Sequence, residues 1–236
     1  MYRQHTAEAA RLLIDPSRSV MLTSMLDGRY HTSGELARFA GITPQTASFH
    51  LKRLEDAGII HQTKQGRHRY YGLMSPDVAK ILESLLTISP PPRISSFKQA
   101  GEDQAIRYAR TCYDHLAGTL AIKITESLIN DGYITQENEH YLLSEKGEHF
   151  FSHFGIDLEL ARKKRRSFCP CCLDWSERKH HIAGALGNAM LIRFLELGWF
   201  NKKAASRALL PTETGKKGFK TIFGLDVSNS NETAVK

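Results

Sequence analysis

The sequence predicts a mainly α-helical protein with small β-hairpins, an α+β fold built in two parts. Three observations lead to this prediction. The 236 residues exceed one average domain of roughly 150 residues, the first third shows repeated helix-cap and glycine signals, and the second half contains an internal repeat. With 41% hydrophobic and 24% charged residues, the composition is that of a globular protein and excludes collagen-like, disordered and membrane-spanning classes.

Residues 1–87 are predicted to form one domain that opens with two helices. The first lies near residues 5–14. The second begins after Asp15, an N-cap residue followed by a proline at the first helical position, and ends before Gly28. Its predicted apolar face consists of Val20, Leu22 and Leu26.

Two further helices are predicted on either side of a tight turn. Thr32 and Glu35 have the spacing of a capping box and open a short helix that ends at Gly41. Thr43, followed by a proline, opens a longer helix that runs to Gly58. Its predicted core side consists of Ala47, Leu51 and Leu54. Two short helices separated by a glycine turn are typical of a helix-turn-helix motif.

A β-hairpin is predicted to follow these helices as a wing. Residues 59–64 and 68–73 are strand-like and meet at Gln65-Gly66-Arg67. Ser75-Pro76-Asp77 then caps another helix. Its predicted apolar face consists of Val78, Ile81, Leu82, Leu85 and Leu86. The proline-rich residues 88–98 are predicted to be an extended linker.

The second helix of the helix-turn-helix has the properties of a recognition helix. One face packs on the domain, and the other exposes short polar and amide side chains that reach base edges. The predicted base-contacting residues are Gln45, Thr46, Ser48 and Phe49. One turn further on, Lys52 and Arg53 suit phosphates. The alternative is a solvated helix face without a partner.

The predicted wing adds a cationic cluster around Gly66. Its members are Lys64, Arg67, His68 and Arg69. Such side chains enter a minor groove or bind phosphates, and the release of counterions makes binding weaken with salt. We therefore expect double-stranded DNA to be the partner of residues 1–87.

The second half of the chain, residues 99–225, contains a repeat with an offset of 66 residues. The tetrapeptide HLAG at residue 115 recurs as HIAG at residue 181, and an apolar helix follows each copy. Each copy is predicted to form a helix-hairpin-helix unit that resembles a winged helix, over about 107–156 and 172–225. Chance recurrence of a common arrangement is the alternative. Residues 226–236 are predicted to be a flexible tail.

The net charge is +7, with 32 basic and 25 acidic residues, which indicates a polyanionic partner. The charge is +3 over residues 1–86, −4 over residues 87–158 and +8 over residues 159–236, so the predicted DNA-reading domain is not the most basic segment. No uncharged apolar stretch approaches the roughly 18 residues that a membrane crossing needs, and no signal-peptide core is present, so we expect a cytoplasmic protein.

Four cysteines do not form the evenly spaced framework of a small secreted protein. The candidate thiol or metal cluster consists of Cys112, Cys169, Cys171, Cys172, His115 and His181. It suits Zn(II), Cu(I) or As(III), or oxidation of the thiols, and Arg165, Arg166 and Arg178 are expected to lower the thiol pKa values. Cys112 lies in sequence predicted to be helical, and a structural packing role for the cysteines is the alternative.

Residues 1–86 resemble the winged helix-turn-helix domain of the ArsR family of bacterial and archaeal repressors. The resemblance rests on Glu35-Leu36-Ala37, Ser48 to Leu51, Leu54, Gly58, Gln65-Gly66-Arg67 and Tyr70-Tyr71. It implies a homodimeric repressor of a palindromic operator, paired through the first helix and the helix after the wing. The usual metal sites of the family do not match, because residues 35–40 contain no cysteine and residues 76–86 no histidine.

Residues 107–225 resemble the C-terminal half of larger ArsR-family members. The matching patterns are C-x-D-H-L-A-G at residue 112, C-x-D-W-S-E-R at residue 172 and H-x-A-G-x-L-G at residue 181. We expect a transcriptional regulator released from DNA by a signal sensed in this half, which is a thiol or redox signal, a soft metal ion or a small ligand. We expect no enzyme, since no phosphate-binding loop or nucleophile motif is present. The alternative is an architectural DNA-binding protein or a regulator controlled by a partner protein.

Overall fold

The computed structural model describes residues 2–90, 94–203 and 206–227. The chain divides into two compact units, Met1–Leu86 and Thr87–Lys236. Residues 91–93 of the predicted linker and residues 228–236 of the predicted tail lie outside the described residues. No helix within the described ranges is long and apolar enough to cross a membrane.

The first unit combines helices with a three-stranded sheet. Its helices are α1 (Tyr2–Leu13), α2 (Pro16–Ser24), α3 (Ser33–Ala40), α4 (Pro44–Asp56) and α5 (Pro76–Ile88). Its strands are β1 (His31–Thr32), β2 (Ile60–Gln65) and β3 (His68–Leu73), in the antiparallel order β1-β3-β2. The predicted helix-turn-helix and wing are present as α3, α4 and the β2–β3 hairpin, whereas β1 was not predicted.

Local capping fixes where these helices begin, as the sequence indicated. The Asp15 carboxylate accepts a hydrogen bond from the Arg18 amide at the start of α2. At α3, the Thr32 side chain accepts from the Glu35 amide while Glu35 accepts from the Thr32 amide, which is a complete capping box. The Thr43 hydroxyl accepts from the third residue of α4. The predicted caps are therefore confirmed.

The core of the first unit lies between α2, α3, α4 and the base of the wing. The fully buried apolar side chains include Met21, Leu22, Met25, Leu26, Leu36, Ala47, Leu51, Leu54 and Ile60. Val20, predicted on the core face of α2, is exposed instead. Its neighbour Met21 and the 3-10 turn Met25–Asp27 that follows α2 take the inner positions.

Helix α5 has apolar side chains on two faces, so the single predicted face was partly wrong. The inner face buries Ala79 and Leu82. Ile81, Leu85 and Ile88 are exposed by 53%, 40% and 81%. Their spacing of i, i+4 and i+7 places them on one stripe of the helix. In this chain, that stripe faces away from the core.

The second unit consists of helices joined by two-stranded antiparallel hairpins. Its helices are α6 (Phe97–Tyr108), α7 (Thr119–Asn130), α8 (Glu145–His153), α9 (Leu158–Lys163), α10 (Gly184–Glu196) and α11 (Glu213–Phe223). Its strands are β4 (Arg110–Cys112), β5 (His115–Ala117), β6 (Ile134–Glu137), β7 (His140–Leu143), β8 (Cys171–Leu173), β9 (His180–Ile182), β10 (Phe200–Lys202) and β11 (Leu209–Pro211). The paired strands are β4–β5, β6–β7, β8–β9 and β10–β11.

Three features of this unit differ from the sequence prediction. Helix α6 starts at Phe97, inside the predicted linker, because Ser96 accepts a hydrogen bond from the Gln99 amide and caps it. Cys112 lies in strand β4 and not in a helix. The hairpins β4–β5 and β8–β9 lie at the start of the two predicted units and were not predicted. Their three-residue strands are too short to show an alternating pattern.

The order hairpin, helix, hairpin, helix occurs twice in the second unit. Corresponding positions make the same contacts. The Ser144 hydroxyl donates to the Gly132 carbonyl at 2.7 Å, and the Thr212 hydroxyl donates to the Gly198 carbonyl at 2.7 Å. Each hydroxyl also caps the helix that follows it. These matched contacts support the interpretation of the second unit as a diverged duplication.

A cluster of aromatic side chains forms the centre of the second unit. Its members are Tyr133, Phe150, Phe151, Phe154, Phe194, Trp199, Phe200, Phe219 and Phe223. The rings of Phe194 and Trp199 stack with centroids 5.3 Å apart. The cluster joins side chains of α8, α10 and α11 with residues at the start of hairpins β6–β7 and β10–β11.

Candidate DNA-binding surface and metal centre

Helix α4 presents all six predicted DNA-contacting side chains to solvent. Its inner positions Ala47, Leu51 and Leu54 are fully buried. The exposed residues of the other face are Gln45, Thr46, Ser48, Phe49, Lys52 and Arg53. The Phe49 side chain is 60% exposed, although a ring of this size normally seeks the core. An apolar ring held at a polar helix surface has a suitable partner in the methyl group of thymine.

Hydrogen bonds within α4 already engage part of this face. The Ser48 hydroxyl donates to the Pro44 carbonyl at 2.8 Å, so its oxygen is left to accept a bond. Lys52 forms an exposed ion pair with Asp56 at 2.7 Å, which raises the pKa of the lysine. Arg53 lies with its guanidinium 5.7 Å from the centre of the Phe49 ring. Exposed pairs of this kind are weak, so binding a phosphate can replace them.

The wing concentrates positive charge at its tip. Lys64, Arg67, His68 and Arg69 are all exposed around the turn, where Gly66 has a φ of 61°. Lys64 and Arg69 are directly opposite each other in the β2–β3 register. Like charges at such a cross-strand position destabilise a hairpin. Their presence is explained by a polyanionic partner better than by the stability of the hairpin itself.

Sequence reasoning missed Arg18, a buried side chain that positions α4. Its guanidinium donates hydrogen bonds to the Leu12 carbonyl at 2.8 Å and the Arg11 carbonyl at 2.9 Å, at the end of α1. The same group lies 3.2 Å from Nδ1 of His50 on α4. No local sequence pattern indicates this role, because the contacts join three helices.

The structure brings together four of the six residues of the predicted thiol and metal cluster. Sγ of Cys112, Nε2 of His115, Sγ of Cys172 and Nε2 of His181 define the centre. The ligand atoms of the four residues all lie within 4.8 Å of one another. Cys112 and His115 are cross-strand partners in β4–β5, and Cys172 and His181 are cross-strand partners in β8–β9. We call these four residues the Cys–His centre.

Cys169 and Cys171 do not belong to the Cys–His centre. Successive side chains of a strand point to opposite faces, so Cys171 and Cys172 on β8 diverge. Cys171 contacts the hydroxyl of Tyr141 instead. Burial raises the pKa of Cys171 and raises that of Cys169 to about 12. The expected lowering of these pKa values by nearby arginines was therefore wrong.

Charged groups lie beside the Cys–His centre. Burial lowers the pKa of His115, but the Cys112 thiolate and the Asp114 carboxylate raise it, and the net value is about 9. Burial and the charge of His115 lower the pKa of His181. Arg166 forms an ion pair with Asp114, whose carboxylate lies 3.6 Å from Nδ1 of His115. The Asp114 carboxylate therefore lies near Nδ1 of His115, the ring nitrogen that does not face His181.

A buried ion pair lies beside the centre and explains the C-x-D-W pattern. Arg110 and Asp174 are both 0% exposed in their side chains and bond at 2.8 Å. Burial raises the pKa of Asp174, but Arg110 and the Ser176 hydroxyl lower it below its ordinary value. The Trp175 ring covers the Arg110 guanidinium at 4.6 Å. This pair links hairpin β4–β5 to the segment that follows β8.

The basic run at residues 162–166 is largely engaged within the second unit. Arg162, Lys163, Lys164 and Arg166 contact Glu148, Glu159, Asn188 and Asp114, respectively. A role of this run in the DNA contact has less support than a structural one.

Comparisons with known proteins agree with the helix-turn-helix of the first unit. A family model described as a helix-turn-helix domain matches residues 13–63. The HTH-type transcriptional regulator YdfF of Bacillus subtilis (strain 168) is 48% identical over 221 residues, which cover 94% of this chain and 98% of YdfF. That similarity spans both units, because 221 residues far exceed the first unit.

The similarity to a second regulator covers about a third of the chain. The HTH-type transcriptional regulator CmtR of Mycobacterium tuberculosis (strain ATCC 25618 / H37Rv) is 34% identical over 82 residues, 35% of this chain and 69% of CmtR. The NMR structure of the cadmium metal-sensor CmtR from the same species gives 30% identity, covers 38% of this chain and 98% of that one, and has a TM-score of 0.31. With YdfF similar along almost its whole length, the chain belongs to the ArsR family of winged helix-turn-helix transcriptional regulators.

Proposed function

We propose that the protein is a homodimeric repressor that binds a palindromic operator and is released by a signal acting on its second unit. The observation that carries the proposal is the exposed face of α4, which combines an amide, hydroxyls and an aromatic ring, next to a cationic wing. In such a dimer the two α4 helices enter successive major grooves, about one helical turn of DNA apart. Bound there, the protein blocks the polymerase.

The side chains of α4 have separate roles in this complex. The Gln45 side chain is exposed, so its amide is available to pair with the edge of an adenine. Phe49 contacts a thymine methyl, and the hydroxyls of Thr46 and Ser48 bond to bases or phosphates. The wing cations bind the flanking backbone, which supplies affinity and not sequence reading.

The DNA interface is tested on an operator selected from random fragments, with affinity measured by fluorescence anisotropy over a salt series. Gln45→Ala is expected to relax discrimination at one base pair by about 1–3 kcal/mol. Arg67→Ala is expected to weaken all sequences alike and to reduce the salt slope by about 0.9 if it contacts one phosphate. Lys217→Ala, which removes an equal charge from α11, is the matched control. Equal losses for Arg67→Ala and Lys217→Ala would contradict the proposed interface.

The exposed stripe of α5 supports the dimer. Ile81, Leu85 and Ile88 form an apolar surface of the kind that a second copy of the chain covers. Ile81→Glu is expected to convert a dimer into a monomer in analytical ultracentrifugation and to weaken operator binding. Lys80→Glu, a change at the adjacent exposed position, is the control and leaves the dimer intact. A wild-type monomer at micromolar concentration would refute this assembly.

The signal is tested by titrating the protein–operator complex with Zn(II), Cu(I), As(III) and a mild thiol oxidant. The Cys–His centre supports a response, because its ligand atoms suit a soft or borderline metal ion. A ligand-dependent loss of DNA affinity supports the repressor mechanism. Affinity that none of these reagents changes would favour an architectural DNA-binding protein or control by a partner protein.

A further inference from the structure

We propose that Cys112, His115, Cys172 and His181 bind one Zn(II) ion in a closed tetrahedral site that joins the two repeats of the second unit. This inference names the ligand of the second unit. It rests on the proposed function only for the effect of the ion on DNA binding, because the site itself has its own test. No part of it depends on α4 or the wing.

The spacing of the ligand atoms is that of a tetrahedral zinc site. Bonds of about 2.05 Å to nitrogen and 2.3 Å to sulfur place two tetrahedral nitrogens about 3.3 Å apart and two sulfurs about 3.8 Å apart. The Nε2 atoms of His115 and His181 are 3.1 Å apart, and the Sγ atoms of Cys112 and Cys172 are 3.9 Å apart. Both distances match the tetrahedral values within a few tenths of an ångström, so binding needs little movement.

Each hairpin supplies one cysteine and one histidine from directly opposite strand positions. In β4–β5 only two residues separate them, and the first, Tyr113, has a φ of 59°. A bulky residue other than glycine rarely adopts this conformation, which costs on the order of 1–3 kcal/mol and persists where the surroundings impose it. The tight turn brings Cys112 and His115 to the same side of the hairpin end.

Burial of the polar atoms is the second indication of a ligand. His181 is 0% exposed, and its Nε2 atom points at the equivalent atom of a second buried imidazole. Two buried nitrogens that converge at this distance, beside two sulfurs, are stabilised together by a shared cation. Imidazole ligands of zinc are commonly oriented by a carboxylate on their other ring nitrogen. Asp114 has this position relative to His115, and Arg166 holds Asp114.

The ligand set favours Zn(II) over the other candidates. Two nitrogens and two sulfurs in tetrahedral array suit Zn(II), whereas thiolate-only sites suit Cu(I) and As(III). All four positions come from the protein, which is typical of a structural zinc ion without an open position. A disulfide between Cys112 and Cys172 would require their sulfurs to approach from 3.9 Å to about 2.05 Å.

Metal content and Co(II) spectroscopy of the full chain test the site. We expect one zinc ion per chain in protein purified under reducing conditions. Replacement by Co(II) is expected to give the visible bands of tetrahedral cobalt and a thiolate-to-cobalt charge-transfer band. Cys172→Ser is expected to abolish both, and Cys171→Ser, the neighbouring thiol on the other face of β8, is expected to leave both unchanged.

A second variant keeps the test informative if Cys172→Ser fails to fold. Cys172→His preserves four ligands and is expected to bind Co(II) tetrahedrally with a weaker charge-transfer band, because one thiolate is lost. Metal-free wild-type protein that also rejects Co(II), equal losses for Cys171→Ser and Cys172→Ser, or a Cys112–Cys172 disulfide in the reduced protein would overturn the site.

The same samples separate the site from the proposed function. If chelation removes the ion and changes operator affinity at least tenfold, the ion is the signal or part of it. If the Co(II) spectra are as expected and operator affinity does not change, the site is retained as a structural zinc site and the metal-sensing step of the repressor is refuted.

Discussion

Replacing Asp174 by asparagine is expected to be one of the most destabilising single changes in the second unit. The change keeps the shape of the side chain but removes its charge, and it leaves the Arg110 guanidinium buried without its carboxylate. Removing one partner of a buried ion pair typically costs about 3–5 kcal/mol of unfolding free energy.

The hydrogen bonds of Asp174 show why asparagine cannot replace it. One carboxylate oxygen accepts from the Arg110 guanidinium at 2.8 Å and the Gly118 amide at 2.7 Å. The other accepts from the Ser176 amide and hydroxyl and from the Glu177 amide. An amide group has only one accepting oxygen, so one of these two sets must face an NH₂ donor. We therefore expect a loss of about 4 kcal/mol, near the middle of the range for a broken buried pair.

Urea unfolding followed by tryptophan fluorescence measures this loss, because the chain's two tryptophans, Trp175 and Trp199, both lie in the second unit. Asp226→Asn, which breaks an exposed pair with Lys220, is the control and is expected to cost less than about 1 kcal/mol. The pKa of Asp174 is below its ordinary value of 3.8, so its carboxylate stabilises the fold at neutral pH. This contribution to the free energy of unfolding is lost as the pH falls below 3.8. The difference in unfolding free energy between wild type and variant should therefore decrease at acid pH. A loss under 1 kcal/mol at neutral pH would refute the reasoning.

Two further changes test the backbone and the wing. Gly184→Ala is expected to destabilise the second unit by more than about 3 kcal/mol, because φ is +70° and the new Cβ would lie 2.3 Å from the Pro170 ring. Gly132 has a similar φ of +72°, but a Cβ there would meet nothing within 4 Å. Gly132→Ala is therefore the control and should cost about 1–2 kcal/mol in the same urea assay. Arg69→Gln is expected to stabilise the wing by a few tenths of a kcal/mol by removing its repulsion with Lys64, yet to weaken operator binding. Thermal unfolding and anisotropy measured on one preparation check the two effects, and a parallel gain in both would contradict the DNA role of Arg69.

The first unit could be predicted almost completely because its signals are local. Thr32 and Thr43 cap their helices through residues three positions away, and Gly41 has the left-handed conformation that ends α3. A short sequence window contains all of these contacts. Strand β1 was missed because it has only two residues, which are too few to show the alternation of a strand. Its partner β3 lies some forty positions later, outside any short sequence window.

The Cys–His centre could be predicted only in part. The six residues predicted from the sequence include all four residues of the centre, since crowded cysteines with histidines nearby indicate soft-metal chemistry. Cys172 can be placed in the centre and Cys171 outside it only if β8 is known to be a strand. Its three residues are too few to show the alternation of side chains that identifies a strand. The turn at Tyr113 also carries no signal, because its positive φ occurs at a residue type that seldom adopts it. Cys112 was therefore assigned to a helix.

The buried guanidinium of Arg18 has a consequence for the choice of operator. It donates hydrogen bonds to the Arg11 and Leu12 carbonyls at the end of α1 and contacts His50 on α4. A rotation of α1 is therefore expected to move α4 as well. In the proposed dimer, where α1 contributes to pairing, this contact fixes the orientation and the separation of the two α4 helices. Such a protein tolerates changes in the bases of its operator better than the insertion of a single base pair between the half-sites.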